Sequence, residues 1–296
     1  MNILLTGGTG LIGTALINHW LNQHKLIVLT RSEEKVKRLW GTKVSAETEL
    51  SNIDFNQLDA VINLAGEPIA EKRWSAKQKQ IMCHSRWQLT EKLVSCINKA
   101  NTPPAILISG SAVGYYGRQQ QQLISEDYQH IYDEFTHQLC KRWEELASAA
   151  APTTRVCILR TGIVLASHGG ALSKMLPAFR FGLGGRIGDG EQYMSWIHLD
   201  DIVGLTDFLL QHPTLQGPFN ATAPNPVTNK EFSNMLAKQL GRPALLPMPA
   251  PVISLLLGEM ADLLLSGQRV LPTNLVKAGY RFKYDTLAPA LANLLP

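Results

Sequence analysis

Residues 6–13 read Thr6-Gly7-Gly8-Thr9-Gly10-Leu11-Ile12-Gly13, and this stretch decides the fold that we expect. It follows an apolar run at residues 3–6 and precedes an amphipathic stretch at residues 15–24, which predict a strand and a helix. In such a unit Gly7 permits the tight turn, Gly10 lets the backbone approach a pyrophosphate, and Gly13 allows close packing of helix on strand. The start of the helix favours an anion. The stretch therefore predicts a dinucleotide-binding site.

Apolar runs of strand length alternate with amphipathic stretches through the first half of the chain. Further strands are predicted at residues 26–30, 60–64, 105–109 and 155–160, and helices at residues 33–40, 78–99 and 134–150. Strands that are apolar throughout are typical of a parallel sheet covered by helices on both faces. The sequence predicts an α/β fold with a Rossmann-type doubly wound parallel sheet in residues 1–165. Parts of 190–225 return to it, and residues 166–296 form a smaller C-terminal α/β substrate lobe.

The second half of the chain is less regular. A helix is predicted at residues 201–211 with Asp200 as its N-cap, and Thr228 with Glu231 forms a capping box for a helix that ends near Gly241. An apolar segment at residues 252–265 is too short to span a membrane, which needs roughly 20 apolar residues. We expect this segment either to cover the substrate cleft or to pack between subunits.

The composition excludes several classes of protein. Hydrophobic residues make up 45% of the 296 residues and charged residues 18%, which is typical of a globular chain. The net charge of +4, without a basic stripe, gives no support for a nucleic-acid partner. The four cysteines lack metal-ligand spacing, so we expect no metal site and a reducing compartment. No export signal precedes the first strand, and we expect a cytoplasmic protein without a membrane partner.

The end of the second predicted strand indicates which dinucleotide binds. An NAD site usually has Asp or Glu there, which accepts hydrogen bonds from the ribose hydroxyls. Here the strand ends Leu29-Thr30-Arg31-Ser32, without an acid. The guanidinium of Arg31 suits a 2′-phosphate, which it can bind through two parallel hydrogen bonds. The sequence favours NADP(H); the alternative interpretation of Arg31 is a solvated surface residue.

Several motifs give the chain a family resemblance. Besides the glycine-rich turn, they are Asn63-Leu64-Ala65-Gly66, Ser109-Gly110-Ser111 with Tyr115-Tyr116-Gly117, and Trp196-Ile197-His198-Leu199-Asp200-Asp201. With them the chain resembles an extended short-chain dehydrogenase/reductase. Gly66-Glu67-Pro68-Ile69 with Arg73-Trp74 and Ser85-Arg86 resemble its atypical branch of nucleoside-diphosphate-sugar epimerases. The resemblance spans almost the whole chain, and implies NADP(H) as cofactor, a nucleotide sugar as small-molecule substrate, and a homodimer.

The resemblance also implies which residues contact the cofactor. The glycine-rich turn would hold the pyrophosphate, the end of the second strand would meet the adenosine phosphate, and later motifs would line the cleft as far as the nicotinamide. In that order the residues are Gly7, Thr9, Gly10, Leu11, Ile12 and Gly13; Thr30 and Arg31; Leu64, Ala65, Gly66 and Ser109; and Ile163. Arg86 resembles a cofactor-contacting arginine of this branch, and its alternative role is a salt-bridged residue on a helix surface.

The catalytic pattern of the family is incomplete in this chain. Short-chain dehydrogenases usually act through a Tyr four residues before a Lys, with a Ser nearby, but no tyrosine here has a lysine at that position. His137 stands four residues before Lys141 in the helix expected to carry the pair, so His137 is one candidate acid/base. Ser111 with Tyr115 or Tyr116 is a second candidate arrangement. A third interpretation is that the chemistry of the family is lost.

Two functions from different classes follow from these observations. The first is an NADP(H)-dependent oxidoreductase or epimerase that acts on a nucleotide sugar, whose diphosphate Lys174, Arg180 and Arg186 could receive. The second is a redox-sensing protein that binds NADPH without turning it over, which the missing Tyr–Lys pair supports. The sequence alone does not decide between them.

Overall fold

The structure of the protein is a computed structural model that describes residues 1–295. Its strands are β1 (Asn2–Thr6), β2 (Lys25–Leu29), β3 (Val44–Glu47), β4 (Ala60–Asn63), β5 (Ile106–Ala112), β6 (Leu123–Ile124), β7 (Arg155–Thr161), β8 (Ile163–Ala166), β9 (Tyr193–Met194), β10 (Trp196–His198), β11 (Gly217–Ala221), β12 (Val227–Thr228) and β13 (Arg269–Val270). Its helices are α1 (Leu11–Trp20), α2 (Glu33–Trp40), α3 (Ala76–Lys99), α4 (Phe135–Ser148), α5 (Gly170–Arg180), α6 (Leu199–Gln211), α7 (Asn229–Gln239), α8 (Ala250–Leu257), α9 (Asp262–Leu265), α10 (Thr273–Lys277) and α11 (Leu287–Leu294).

Seven strands form one parallel sheet in the order β11–β7–β5–β4–β1–β2–β3. The direction in which the strands are added reverses between β1 and β4. In doubly wound sheets, ligands bind in the crevice outside the carboxyl ends of the strands at this reversal. The predicted α/β class with a Rossmann-type parallel sheet is confirmed.

Both faces of the sheet are buried, which explains why its strands are apolar throughout. In β1 the side chains of Ile3 and Leu5 pack on one face with α1, α2 and α6, whereas Leu4 packs on the other face with α3 and α4. All three side chains are fully buried. Side chains that point alternately to the two faces of a strand thus contribute to two hydrophobic layers. The edge of the sheet where the strands end is available for a ligand.

Helix α1 begins earlier than the sequence predicted. The apolar periodicity indicated residues 15–24, but the helix starts at Leu11, directly after Gly10, and ends at Trp20. Leu11 and Ile12 are apolar as well, but they belong to the glycine-rich motif, which was interpreted as a turn. The correction matters because it places Leu11, Ile12 and Gly13 in the first turn, where backbone N–H groups lack intrahelical partners.

The caps of two later helices differ in how well the sequence predicted them. The capping box of Thr228 and Glu231 opens α7 as predicted. The prediction of Asp200 as N-cap of α6 was wrong, because the helix begins at Leu199 and the His198 side chain accepts the Asp200 N–H at 3.0 Å. Asp200 instead forms an ion pair with Lys283 at 2.7 Å.

A second hydrophobic cluster lies in the part of the chain that follows β7. It is built around Trp196 and Phe232 with apolar side chains of α5, α7 and α11. Helix α6 and strand β11, from the same part of the sequence, belong to the first cluster and the central sheet. Within residues 1–295, no helix has both the length and the hydrophobicity that a membrane crossing requires.

Candidate cofactor and active site

The glycine-rich turn is packed so closely that two of its glycines have no room for a side chain. Gly7 has a φ of +71°, and a Cβ there would lie 2.8 Å from the Ala65 nitrogen on the neighbouring β4–α3 loop. A Cβ on Gly13 would overlap the carbonyl oxygen of Gly7. The turn is closed by the Gly10 N–H, which donates to the Gly7 carbonyl at 3.0 Å. These contacts fix the start of α1 against the end of β1.

The N-terminus of α1 is open to an anion. Helix α1 has no side-chain cap and no acidic residue in its first turn. Within residues 1–295, no carbonyl or side chain accepts a hydrogen bond from the N–H groups of Leu11, Ile12 and Gly13. Such groups, aligned with the helix dipole, suit a phosphate. The predicted pyrophosphate residues therefore lie together at the carboxyl edge of the sheet.

A buried polar network supports the loop that faces this turn. The Thr6 hydroxyl donates to the Asn63 side-chain oxygen at 2.8 Å and accepts the Ala65 N–H at 3.2 Å. The Asn63 amide in turn donates to Thr90 at 2.8 Å and to Ser109 at 3.3 Å. Ser109, predicted as a cofactor contact, is fully buried beneath the loop. Its observed contact is with the Asn63 side chain, so Ser109 supports the polar network beneath the loop.

The predicted adenosine end of the site also contains Lys35, a cation that was not predicted from the sequence. Arg31 is exposed just after β2, as predicted, and Thr30 accepts a hydrogen bond from the Ser32 N–H at 3.1 Å. Lys35, one helical turn beyond Arg31, places its ammonium 3.4 Å from the carbonyl oxygen of Thr9. The i, i+4 spacing of Arg31 and Lys35 at the start of α2 was the available signal.

Arg86 lies against Gly66 of the β4–α3 loop. A Cβ on Gly66 would lie 2.6 Å from its guanidinium carbon, and its Nη1 donates to the Met82 carbonyl at 3.1 Å. No ion pair joins it to an acid within residues 1–295. Burial lowers the pKa of Arg86. The alternative role as a salt-bridged surface residue is therefore wrong.

The segment after β8 packs against the Leu11 side chain at the start of α1. Gly169 and Gly170 lie against the Leu11 side chain, with a Cβ on Gly169 only 3.0 Å from it. Ile163, the predicted nicotinamide neighbour, is half-buried on β8, where its N–H donates to the Ser195 carbonyl at 2.7 Å. The crevice thus has the glycine-rich turn on one side and the start of α5 on the other.

The three predicted diphosphate cations are separated in space. The Lys174 ammonium donates to the Ala70 carbonyl at 3.1 Å, beside the β4–α3 loop. Arg180 and Arg186 are exposed at and beyond the far end of α5. That end is about 15 Å from Leu11, given the rise of an α-helix. Only Lys174 therefore lies beside the crevice.

The Ser111 hydroxyl points into a buried ionic network. It donates to Glu144 at 2.6 Å, and Glu144 is held by Arg160 through two hydrogen bonds of 3.0 and 2.8 Å. Burial alone would lower the pKa of Arg160, but its hydrogen bonds and attraction to Glu144 outweigh this and raise it. Because the Ser111 hydroxyl donates its only proton to Glu144, its oxygen can accept a further hydrogen bond but cannot donate one. No sequence motif predicted this pair, which joins β7 to α4.

Arg160 also organises both tyrosines of the β5 loop. Its guanidinium carbon lies 3.6 Å from the ring centre of Tyr115, and its Nη1 donates to the Tyr116 hydroxyl at 3.0 Å. The Tyr116 hydroxyl donates to Asn220 at 2.7 Å. Burial raises the pKa of Tyr116 to about 12. Tyr116 is therefore enclosed in the interior, whereas Tyr115 is half-buried and makes no hydrogen bond through its hydroxyl within residues 1–295.

His137 lies beside Tyr115, but Lys141 does not. The His137 Nδ1 is 2.5 Å from the Tyr115 carbonyl oxygen, so Nδ1 carries the proton and donates it. The two rings are 5.3 Å apart. Lys141 is exposed on the outer side of α4, so the predicted pairing of His137 with Lys141 was wrong. The preceding Cys140 is buried instead, and this burial raises the pKa of its thiol to about 11.

The comparisons with known proteins agree with this geometry. The sequence profile of the NAD dependent epimerase/dehydratase family matches residues 3–221, and a domain of unknown function, DUF1731, matches residues 248–294. The Arabidopsis thaliana epimerase family protein SDR39U1 homolog, chloroplastic, is 38% identical over 100% of this chain and 87% of its own length. Mouse SDR39U1 is 35% identical, with 100% of both chains covered.

Solved structures show the same relationship. The crystal structure of human SDR39U1 (isoform 2) with NADPH has a TM-score of 0.92 and 33% sequence identity, and covers 100% of this chain and 99% of the human one. The nucleoside-diphosphate sugar epimerase from Corynebacterium glutamicum has a TM-score of 0.76 and 26% identity, over 100% of this chain and 58% of that one. This chain belongs to the NAD dependent epimerase/dehydratase family.

Proposed function

We propose that the protein binds NADP(H) across the carboxyl edge of its sheet. The open N-terminus of α1 carries the proposal, because the free N–H groups of Leu11, Ile12 and Gly13 beside a closed glycine turn suit a pyrophosphate. Human SDR39U1, whose crystal structure contains NADPH, supports the same choice of cofactor. In the remaining crevice we assign Leu64, Ala65, Gly66, Arg86 and Ile163 to cofactor contacts.

The preference for a phosphorylated dinucleotide rests on two cations. Arg31 and Lys35 stand one helical turn apart, and Lys35 reaches back to the Thr9 carbonyl of the glycine-rich turn. A 2′-phosphate placed there would be flanked by a guanidinium and an ammonium. Ser32 uses its side chain to cap α2, with the Lys35 N–H as donor. The start of α2 is thus fixed, with Lys35 in its first turn and Arg31 directly before its N-cap.

We further propose an oxidoreductase or epimerase activity on a nucleotide sugar. NADP(H), when bound, supplies or accepts a hydride. The protein's own residues have to manage the accompanying proton. His137 donates from Nδ1 to the Tyr115 carbonyl, which leaves Nε2 unprotonated in the neutral ring and able to accept a proton. Tyr115 offers a hydroxyl beside it, and of the three predicted diphosphate cations Lys174 is the one beside the crevice.

Titration with NADPH and NADH tests the cofactor assignment. A bidentate charged contact of about 1.5–3 kcal/mol predicts at least about a tenfold preference for NADPH, read from nicotinamide fluorescence. Arg31→Ala and Lys35→Ala should each reduce this preference, and the double variant should abolish it. Lys37→Ala, an exposed lysine on the same helix, is the matched control and should change nothing. If neither nucleotide binds, the cofactor proposal is wrong.

A second candidate function is a redox sensor that binds NADPH without turnover. The specific observation in its favour is that Ser111, a hydroxyl positioned at the end of β5, is committed to Glu144 and cannot donate to a substrate carbonyl. The exposure of Lys141 adds to this, since no lysine supports a tyrosine at the usual position. Under this function, the crevice would hold the cofactor, and a partner would distinguish its two redox forms.

Single-turnover assays distinguish the two functions. Protein loaded with NADPH is mixed with a panel of nucleotide-activated keto-sugars, and absorbance of the reduced nicotinamide is followed. Oxidation that His137→Asn or Tyr115→Phe slows at least tenfold supports the oxidoreductase. Retained oxidation in both variants would overturn the assignment of these residues. Absence of oxidation across the panel, with tight NADPH binding, favours the sensor. The substrate lobe at 166–296, the homodimer and the cytoplasmic location stay predictions.

A further inference from the structure

Exposed apolar side chains are concentrated in one region of the protein. Among residues 1–295, fifteen large hydrophobic side chains are exposed, and eight of them lie within residues 181–183 and 245–256. We call these eight the apolar patch: Phe181, Leu183, Leu245, Leu246, Met248, Val252, Leu255 and Leu256. Phe181 is 81% exposed and Leu255 is 79% exposed, as free as such side chains become in a folded protein. Contiguous exposed patches of this kind mark interaction surfaces.

The members of the apolar patch come from adjoining backbone segments. The loop after α5 runs alongside the loop before α8, because the Met248 N–H donates to the Arg186 carbonyl and the Gly188 N–H donates to the Met248 carbonyl, each at 2.9 Å. Helix α8 starts two residues later. On it the exposed Val252, Leu255 and Leu256 have i, i+3, i+4 spacing, which places them on one face, while Ile253 is buried. Two loops and one helix face therefore contribute to one surface.

The charge of this surface has one sign. Residues 179–188 and 241–258 contain Arg180, Arg186 and Arg242 and no aspartate or glutamate. All three arginines are exposed, and none pairs with a carboxylate within residues 1–295. The segments that form the apolar patch therefore carry unpaired positive charge and no negative charge.

Two of the carboxylates that border the patch are already neutralised. Glu259 forms an ion pair with Lys79, and Asp262 forms one with Arg118 at 2.8 Å. Asp189 and Glu191 follow the loop and are the remaining acids on that side. These pairs also tie the end of the α8–α9 segment to the sheet domain. The segment is thus held in place while its apolar face stays uncovered.

The charge distribution decides which partner fits. A second copy that docked symmetrically through this patch would bring both sets of arginines into one interface with few acids to oppose them, and uncompensated like charge in an interface is costly. An anionic lipid surface matches both properties, because apolar side chains enter the headgroup boundary while arginines meet lipid phosphates. We propose that the apolar patch docks the protein on the surface of an anionic membrane. The expectation of no membrane partner rested on the lack of a spanning stretch, which surface docking does not require.

Vesicle co-sedimentation of the full chain tests this proposal. We expect binding to vesicles of equal parts phosphatidylcholine and phosphatidylglycerol, weak binding to phosphatidylcholine alone, and loss of binding as salt screens the arginines. Leu255→Glu should weaken binding at least tenfold. Val276→Glu is the matched control, because it makes the same charge change at an exposed apolar residue of α10, outside the patch.

The arginines are tested by charge removal. Arg180→Gln with Arg242→Gln should weaken vesicle binding by about fivefold per arginine. The control pair is Arg38→Gln with Arg281→Gln, two exposed arginines without an ion pair elsewhere on the chain, which should leave binding unchanged. Circular dichroism and the NADPH titration show whether each variant is folded. A folded Leu255→Glu protein that still binds vesicles as tightly as Val276→Glu would overturn the proposal.

Two further outcomes would also overturn it. Light scattering that shows a dimer disrupted by Leu255→Glu, together with no vesicle binding, would assign the patch to a second copy of the chain. Equal binding to both kinds of vesicle would remove the role of the arginines and leave a non-selective apolar surface. Binding that requires phosphatidylglycerol and is lost in both patch variants supports docking on an anionic membrane. This surface is independent of the cofactor proposal, because NADPH binding is measured without vesicles.

Discussion

The Ser111 hydroxyl is hydrogen-bonded at 2.6 Å to the buried carboxylate of Glu144, and it therefore donates into the protein interior. The same carboxylate binds Arg160, whose guanidinium stacks on Tyr115 and binds Tyr116. One ion pair between β7 and α4 thus fixes the side chains at the end of β5. The charge that contacts both tyrosines is therefore buried and paired with a carboxylate.

Loss of this carboxylate should destabilise the fold. Glu144→Ala leaves Arg160 buried without its partner, which costs about 3–5 kcal/mol of unfolding free energy. Urea denaturation followed by circular dichroism measures it. Glu145→Ala is the matched control on the same helix, because its pair with Arg142 is exposed and is worth about 0–1 kcal/mol. Equal midpoints for the two variants would contradict the inferred role of the buried pair.

Two substitutions in the glycine-rich turn should distinguish effects on stability from effects on NADPH affinity. Gly13→Ala should lose both stability and NADPH affinity, because its Cβ would overlap the Gly7 carbonyl oxygen in the packed turn. Gly10→Ala should remain folded, since its Cβ would lie 3.3 Å from the same oxygen at an ordinary φ of −84°. Its NADPH affinity should still fall by at least about tenfold if the backbone approaches the pyrophosphate there. Thermal unfolding and nucleotide titration of both variants check this difference.

Tyr116 should make the protein sensitive to alkali. Burial raises its pKa from 10.0 to about 12, so the folded state keeps a proton that the unfolded state loses between these values. Its contribution to stability is full below pH 10 and declines as pH rises through 12, by about 1.4 kcal/mol per pH unit at most. Tyr116→Phe should flatten this decline in urea titrations. Tyr132→Phe, at an exposed tyrosine, should not. An unchanged slope in Tyr116→Phe would contradict the raised pKa.

The sheet and the glycine turn were predictable because their determinants are local. Strand periodicity and the position of Gly7, Gly10 and Gly13 are properties of short segments, and they identified β1, the turn and the parallel sheet. The start of α1 was placed four residues late, because Leu11, Ile12 and Gly13 belong to the glycine-rich motif and were interpreted as part of the turn. Local sequence patterns therefore predict the existence of a helix or strand more reliably than the residue at which it begins.

The interior of the site was not predictable from spacing. Glu144 and Arg160 lie on different elements, and no motif joins them to Ser111 until the chain is folded. The interpretation of His137 with Lys141 failed for a related reason. Successive helical residues differ by about 100° in direction, so a residue next to the buried Cys140 can face solvent. Sequence spacing gave the correct separation for a pair but not the direction of its lysine.

The different contributions of the His137 and Lys141 side chains to stability can be measured directly. His137→Ala removes a hydrogen bond to the Tyr115 carbonyl and an aromatic contact at 5.3 Å, and should cost about 1–2 kcal/mol of unfolding free energy. Lys141→Ala should stay within about 0.5 kcal/mol of the parent, as exposed substitutions usually do. Both variants differ from the parent only on α4, so urea midpoints compare them without further assumptions. If Lys141→Ala were the more destabilised variant, the side-chain directions assigned to this helix would have to be revised. The position of the candidate acid/base would then change with them.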